Sequence, residues 1–490
     1  MSSFIGVALG ALSLVSAAII PTGNKTTIIE RDVVILGGGA SGAHAAVRLR
    51  EDYNKTIVVV EKQNRIVSAN QLDLKRVKSL MPTQGGHVAT FTDPETGNPY
   101  DFGVNSYTDY GGARDFFARF NIPVQTPVRQ VLTTTYADFS TGKTTNYSLP
   151  ASADATAALK AYLEQCEKYE SYILPSYANF PNTTVGVPED LTLKFSDFVK
   201  KHNLQAAVPR IFQTTGLGLG NIADQTTLYV MQGFGAPITR SFLGTVGSFV
   251  PVSRRNQDIY DAIADLLGDD VLYSSTAIKT SRTEDGVEVL VCGPDNKQTL
   301  IRTKKLLVSF EPTIANFDGI DISDEEAAVF SKWEWTTVHA GIVSHPSLPI
   351  SYSLTNNVPT NWISLPKTPF VGRFDYLGGN NFRVLITGSS NYDSTQAQAL
   401  VRKSLKLLAD AGTIPSLGTE QLNVKAWANH GAVSLRVPGA ELAAGHITEQ
   451  YALQGRRSTY YTGAAWSAQF TTILWEYNNQ YLLPKLLAEF

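Results

Sequence analysis

Residues 31–61, RDVVILGGGASGAHAAVRLREDYNKTIVVVE, restrict the fold of this chain more than any other stretch. The apolar run Val33, Val34, Ile35, Leu36 predicts a fully buried parallel strand. It runs directly into Gly37-x-Gly39-x-x-Gly42, the dinucleotide-binding spacing. The first glycine permits a tight turn, the second lets backbone approach a pyrophosphate, and the third lets the following helix pack on the strand. Ala43, Ala46, Val47 and Leu49 fall at helical spacing, so a helix N-terminus points its unpaired N–H groups at the phosphates. A second buried strand, Ile57 to Val60, ends in Glu61, a carboxylate able to accept both hydroxyls of an adenosine ribose. Glu61 disfavours a 2′-phosphorylated cofactor, because two like charges would meet. FAD and NAD both remain open on this motif, and the alternative is a glycine-rich turn that binds nothing.

At 490 residues the chain exceeds one hydrophobic core, so two or three domains are expected. The formal net charge of −3 and the lack of basic runs with interleaved aromatics argue against a nucleic-acid partner. Phe4 to Ala18 is apolar, small and uncharged, and Val15-Ser16-Ala17 or Ser16-Ala17-Ala18 fits a signal-peptidase site, although a positive n-region is missing. The competing reading, a membrane anchor, needs about 20 apolar residues. A signal peptide over 1–18 is therefore expected, with no stable membrane insertion after its removal. Four N-x-S/T sequons, at Asn24, Asn54, Asn146 and Asn182, fit export. Two cysteines, Cys166 and Cys292, allow one disulfide at most, and the seven histidines form no HExxH, so no metal site is expected.

Along the chain, Gln84-Gly85-Gly86-His87 and Asp101-Phe102-Gly103-Val104-Asn105-Ser106 offer further places for close backbone approach, or are ordinary turns. Helices are predicted over 112–120, 153–174 and 193–202, and Gly216-Leu-Gly-Leu-Gly220 reads as a flexible stretch, either a substrate loop or a helix cap. A helix over 257–267, a strand over 271–278, an Asp285-Gly286 turn with alternating Val287, Val289, Val291, and the run 306–310 return to dinucleotide-domain character. Strands are expected over 337–343 and 382–387. At the C-terminus a strand, Thr459 to Tyr461, a turn at Gly463 and one helix over 464–487 close the pattern.

Taken together these motifs resemble the flavin-containing amine oxidase superfamily. The order agrees: GxGxxG with a terminal Glu, Gly85-Gly86-His87, Asp101 to Gly103, the unit at 256–310 and the final strand–Gly–helix. The leader, the GGH spelling and DFGVNSY resemble a secreted fungal branch of β-cyclopiazonate dehydrogenase-like enzymes. The resemblance implies an α/β fold: a FAD-binding Rossmann-like domain (28–110, 245–310 and 446–490) interleaved with a mixed α+β substrate domain (111–244 and 311–445). It implies FAD held by Gly37, Gly38, Gly39, Ala40, Ser41, Gly42 and Glu61, with Lys62 and Arg65 beyond it. Gly86 and His87, Gly103, Val104 and Asn105, the backbone of Ala277 or Ile278, and Gly463, Ala464, Trp466 and Ser467 complete the set.

Three departures from the family pattern bear on activity. About 20 residues separate Glu61 from Gly85 where the family has none; the family lysine falls at His339; and the flavin-linking cysteine position falls at His430 or Gly431. His339 and His430 are the acid–base candidates, and Trp427, Tyr460 and Tyr461 are candidate pocket walls. The implied activity is a FAD-dependent oxidoreductase removing a hydride from a C–N or C–C bond of an apolar small molecule. The alternatives are a flavin-binding protein without turnover, a prenylcysteine-oxidase-like or polyamine-oxidase-like enzyme, and an NAD-dependent dehydrogenase. The flavin is expected not to be linked to cysteine.

Overall fold

The strand Thr27–Leu36 lies between two parallel neighbours, Ile57–Val60 and Gln298–Val308. The computed structural model from which this follows describes residues 26–65, 87–128, 130–359 and 363–490. Ile57–Val60 pairs onward with Val271–Leu272, and the C-terminal half of Gln298–Val308 pairs with Thr459–Tyr461, both parallel. An antiparallel meander, Thr276–Thr283 and Gly286–Cys292, joins the other half of Gln298–Val308, and one seven-stranded sheet results. Helix Ala40–Val47 packs on it, and Asp258–Leu267 and Thr471–Tyr477 pack on that helix. Val33 to Leu36 and Ile57 to Val60 are buried without alternation, as in strands enclosed on both faces.

A second, six-stranded sheet runs in the order Asn423–Arg436, Glu334–Ser344, Asn381–Gly388, Phe370–Gly378, Tyr352–Asn356, Thr133–Ala137. On its outer face Val371, Phe374, Val384 and Ile386 pack against Ala397, Val401, Leu405 and Leu408 of the helix Ser394–Asp410. On its inner face Ala340, Ile342, Leu385, Ala426 and Ala428 pack against Ala89, Phe91 and Phe102, which belong to the segment following the dinucleotide unit. A set of helices covers another side. The longest, Ser152–Ile173, buries Leu159, Tyr162, Cys166 and Ile173, one stripe at helical spacing.

Two local expectations are corrected. Of the two readings of Gly216 to Gly220 the helix cap holds and the flexible loop does not: Gly216 to Leu219 form the last turn of the helix Val208–Leu219, which ends at Gly220 with φ +72°. A side chain on Gly218 would press on Ser434, so the small residues there let the helix approach the strand Asn423–Arg436. The C-terminal helix starts later than expected: a short turn over Ala464–Trp466 precedes Thr471–Tyr477, which continues through a π turn, Asn478–Leu482, into Leu483–Leu487. Cys166 and Cys292 are both free thiols. Among the described residues no helix is long and apolar enough to cross a membrane, and no cluster of three or more potential metal ligands occurs. The leader 1–18, Asn24, Gly85 and Gly86 lie outside the described residues.

The meander is tied to the segment after the dinucleotide sheet by one buried ion pair. Arg282, fully buried, donates from Nη1 and Nη2 to both oxygens of Glu326 at 2.8 and 2.7 Å, and from Nε to Asp321 at 3.0 Å. Tyr461, in the last strand of the sheet, donates its hydroxyl to the same Glu326. Burial pushes the Glu326 carboxyl up, but the Arg282 guanidinium outweighs this and holds it below the usual range. Removing one member of a buried pair costs about 3–5 kcal/mol. Glu326→Ala is therefore expected to destabilise by about 3 kcal/mol, the lower end, since Asp321 still faces Arg282. Denaturant unfolding checks this. Because the Glu326 pKa is depressed, its contribution is present above the ordinary glutamate range and is lost as pH falls below it, so wild type and variant should converge at acid pH.

Candidate functional site

The carboxyl ends of the parallel strands carry the expected glycine loop. Gly37 turns with φ +103°, and a Cβ on Gly42 would overlap the Gly37 carbonyl and Ser309 Oγ. Ser309 follows the strand Gln298–Val308; its hydroxyl donates to the carbonyls of Leu36 at 3.0 Å and Gly37 at 2.6 Å. The loop is thus clamped from below, while above Gly39 a Cβ would meet nothing within 4 Å. Glu61 accepts from Gly38 N at 2.6 Å and from Gln63 N at 2.7 Å. Burial nevertheless raises its pKa above the ordinary value, so the carboxylate has capacity for further donors such as ribose hydroxyls. Ser275 N donates to the Glu61 carbonyl at 2.9 Å, which brings the following Ala277 to this end of the sheet. Ile278 is 41% exposed, with its carbonyl against Gly319. Lys62 is exposed and Arg65 half-buried.

Several expected cofactor residues serve the fold with their side chains. Ser41 Oγ meets Thr462 Oγ1, Thr462 donates to Asn478 Oδ1 at 2.7 Å, and Asn478 Nδ2 returns to the Ser41 carbonyl at 2.8 Å. The Ala40 carbonyl accepts from Trp475 Nε1 at 3.1 Å. These bonds dock the loop's helix against the C-terminal helices. Gly103 is required because a Cβ there would overlap the His87 carbonyl, and Val104 N donates to that carbonyl at 2.9 Å. Asn105 Oδ1 accepts from Arg383 Nη1 of the second sheet.

Around Gly463 (φ +116°) the chain turns its carbonyls into the protein. Gln232 Nε2 donates to the carbonyls of Ala464 and Ser467, Gln450 Nε2 to Ala465, and the Tyr451 hydroxyl to Trp466. Trp466 is fully buried and stacks on Tyr461 at 4.8 Å, so it is a core wedge.

The two candidate histidines part company. His430, half-buried, points inward: its ring lies edge-on to His87, 5.1 Å between centroids. Burial holds His87 below the ordinary imidazole pKa, hence neutral at pH 7. His339, in contrast, pairs with Asn429 across the sheet, donates from Nε2 to the Tyr392 carbonyl at 2.9 Å, and lies 6.0 Å from Trp427 on the outer, helix-covered face. A site role for His339 is therefore withdrawn: strand alternation puts it on the face opposite His430. The same holds for Trp427, which belongs to the outer cluster, and for Tyr460 and Tyr461, which are core residues.

The sequence reading missed Ser309, Gln232 and Asn478, since single polar residues after strands carry no motif. It also missed Glu311, two residues beyond the Ser309 clamp. The Glu311 Oε2 atom is buried without a hydrogen-bond partner, and burial pushes the carboxyl up to about 8. An orphaned carboxyl on the segment after Ser309, an open glycine loop and Glu61 at the end of the next strand fit the dinucleotide that the resemblance implies.

Comparisons with known proteins agree with this geometry. A model of the NAD(P)-binding Rossmann-like domain matches residues 35–71. A β-cyclopiazonate dehydrogenase of Aspergillus flavus is 30% identical over 484 residues, 98% of each chain. The FAD-dependent oxidoreductase pigF of Monascus ruber is 34% identical over 473 residues, 94% of this chain and 93% of that one. Among solved structures, a CLA-producing fatty acid isomerase from P. acnes superposes with a TM-score of 0.66 at 16% identity, over 93% of this chain and 98% of that one. Putrescine oxidase bound to putrescine gives 0.61 at 14% identity, over 94% and 100%.

The two glycines separate binding from folding. Gly39→Val places its side chain in open space, so the apoprotein should unfold within about 1 kcal/mol of wild type, yet retain no flavin on purification. Gly42→Val drives a side chain into backbone and should cost about 3 kcal/mol whether or not flavin is present. Absorbance at 450 nm per chain and apoprotein unfolding curves check both.

Proposed function

The chain belongs to the family of FAD-dependent oxidoreductases that includes Aspergillus β-cyclopiazonate dehydrogenase, and on that footing we propose that it removes a hydride from a C–N or C–C bond of a largely apolar small molecule. FAD, when bound, supplies the two-electron acceptor. Glu61 and the loop Gly37 to Gly42 would hold its ADP half, Ala277 its adenine, and Gly463 with Ala464 would lie along the phosphates and ring side. Glu311 adds a protonated carboxyl able to donate to an acceptor there.

The observation that carries the reading is the inner face of the substrate sheet. Ala340, Ile342, Leu385, Ala426 and Ala428 close its centre against Ala89, Phe91 and Phe102, and the His430–His87 pair stands at the edge of that apolar cluster. There an imidazole takes the proton that must leave the substrate's heteroatom or neighbouring carbon. His87, neutral and edge-on, orients the His430 ring. Among the described residues a polycationic amine finds no free carboxylate on this face: Asp375 is already paired with Arg373 and Arg383, both at 2.9 Å. That favours an apolar substrate over a polyamine.

Export completes the proposal. Asn54, Asn146 and Asn182 are all exposed, so each can carry a glycan. Mature secreted material should begin near Ala18 or Ile19 and lose mass on treatment with a peptide N-glycosidase; an intact Met1 and an unchanged mass would contradict both.

Anaerobic mixing of the holoprotein with a panel of apolar amines and hydroaromatic compounds should bleach the 450-nm band with at least one. His430→Asn should lower that reduction rate about 100-fold or more and remove the acid limb of its pH profile, since the base must be neutral to accept a proton. An unchanged rate and profile would reject the role of His430.

A further inference from the structure

The turn after the strand Thr459–Tyr461 is gripped by side chains. Each carbonyl from Ala464 to Ser467 accepts one: Gln232 Nε2 at Ala464, at 2.9 Å, Gln450 Nε2 at Ala465, at 2.7 Å, the Tyr451 hydroxyl at Trp466, and Gln232 Nε2 again at Ser467. Gln232 does not belong to the dinucleotide sheet. It comes from Thr227–Gly233, a helix buried along its whole length and packed among Ser152–Ile173, Phe195–Lys201 and Val208–Leu219.

In a planar trans peptide the C=O and the following N–H point in opposite directions. Holding a carbonyl therefore aims the next residue's N–H away from the side chain that holds it. Trp466 N returns to the Gly463 carbonyl at 3.0 Å and Ser467 N to the Ala464 carbonyl at 3.4 Å. The N–H groups of Ala465 and Ala468 meet no acceptor among the described residues, although both residues are buried. They belong to the two peptide units whose carbonyls Gln232 holds. Buried N–H groups without a partner are rare, so this pair calls for an acceptor from outside the chain. The order of the strands says which one. Glu61 ends Ile57–Val60, Gly37 follows Thr27–Leu36, Ser309 follows Gln298–Val308, Gly463 follows Thr459–Tyr461, and these four parallel strands are neighbours in that order. With ribose at Glu61 and pyrophosphate at Gly37, the other half of a dinucleotide extends toward Gly463, two strand spacings or about 10 Å further on.

We infer that Gln232 is a positioning residue for the flavin: by gripping the carbonyls of Ala464 and Ser467 it aims the N–H groups of Ala465 and Ala468 at the acceptor edge of the isoalloxazine ring. This rests on FAD as the occupant of the dinucleotide site. Negative charge gained on reduction collects on that edge of the ring, between its two carbonyl oxygens, and donors fixed in advance favour the charged form over the neutral one. Gln450 supplies an internal contrast. It is as deeply buried and holds the Ala465 carbonyl, but the N–H of that peptide unit, on Trp466, is already bonded to Gly463. Loss of Gln450 loosens the turn without disturbing a free donor, whereas loss of Gln232 releases both.

The two-electron midpoint potential of the holoprotein is measured by dye equilibration for wild type, Gln232→Met, Gln232→Glu and Gln450→Met, together with the FAD affinity of each apoprotein. Wild type should hold reduced FAD more tightly than oxidised FAD, so its potential should lie above that of free FAD at the same pH. Gln232→Met should weaken that preference at least 10-fold, a shift of about 30 mV to more negative potential. Gln232→Glu turns a carboxylate toward the same carbonyls and should shift it at least as far. Gln450→Met should melt at lower temperature and keep the wild-type potential. A wild-type potential at or below that of free FAD, an unchanged potential in the Gln232 variants, or an equal shift in Gln450→Met would overturn the assignment. A loss of FAD affinity in the Gln232 variants at unchanged potential would put the two donors on the pyrophosphate and overturn it as well. The wild-type comparison decides even where a variant fails to fold. A wild type that takes up no FAD at all removes the dinucleotide reading itself, a failure distinct from these.

Discussion

One close contact sets the geometry of everything else. The helix Ala40–Val47 can stand where it does only because Gly42 has no side chain to strike the Gly37 carbonyl and Ser309. That contact fixes the helix N-terminus above the carboxyl ends of three parallel strands, where Glu61 and Glu311 also end. Ser309 clamps the loop from one side, and the Ser41–Thr462–Asn478 chain ties it to the C-terminal helices from the other. A loop so held presents its backbone donors in a fixed array, which is what recognition of a pyrophosphate demands. The cost of two carboxyls with raised pKa values is located at this site and not in the surrounding core.

The second sheet divides labour between its faces. The outer face is closed by the helix Ser394–Asp410 and is purely structural. The inner face is apolar at its centre, has imidazole at one end and guanidinium at the other, and meets the dinucleotide domain through Phe91, Phe102 and the Arg383–Asn105 bond.

The dinucleotide unit was legible in the sequence because its residues are contiguous and each glycine has its own steric reason. The substrate sheet was only half legible. Strands 337–343 and 382–387 announced themselves by β-branched runs, but Thr133–Ala137 is polar and lies at the edge, so no buried pattern marks it. Assigning His339 to the site failed for a specific reason: its face is decided by cross-strand pairing with Asn429 and by a bulge at Gly431, neither of which local sequence displays. Composition left Gly216 to Gly220 open between a loop and a helix cap, and close approach to Ser434 accompanies its helical end. Gln232 and Glu311 carry no motif, and only the atoms around them in three dimensions make them visible.

The central claim is that the dinucleotide site and the inner face of the substrate sheet form one redox site, with the outer face excluded. The visible spectrum of the bound flavin tests it most directly, recorded for wild type, His430→Asn and His339→Asn at equal flavin content. The account expects the 450-nm band to shift or change its fine structure in His430→Asn and to stay superimposable on wild type in His339→Asn. A perturbed spectrum in His339→Asn together with an unchanged one in His430→Asn would contradict it.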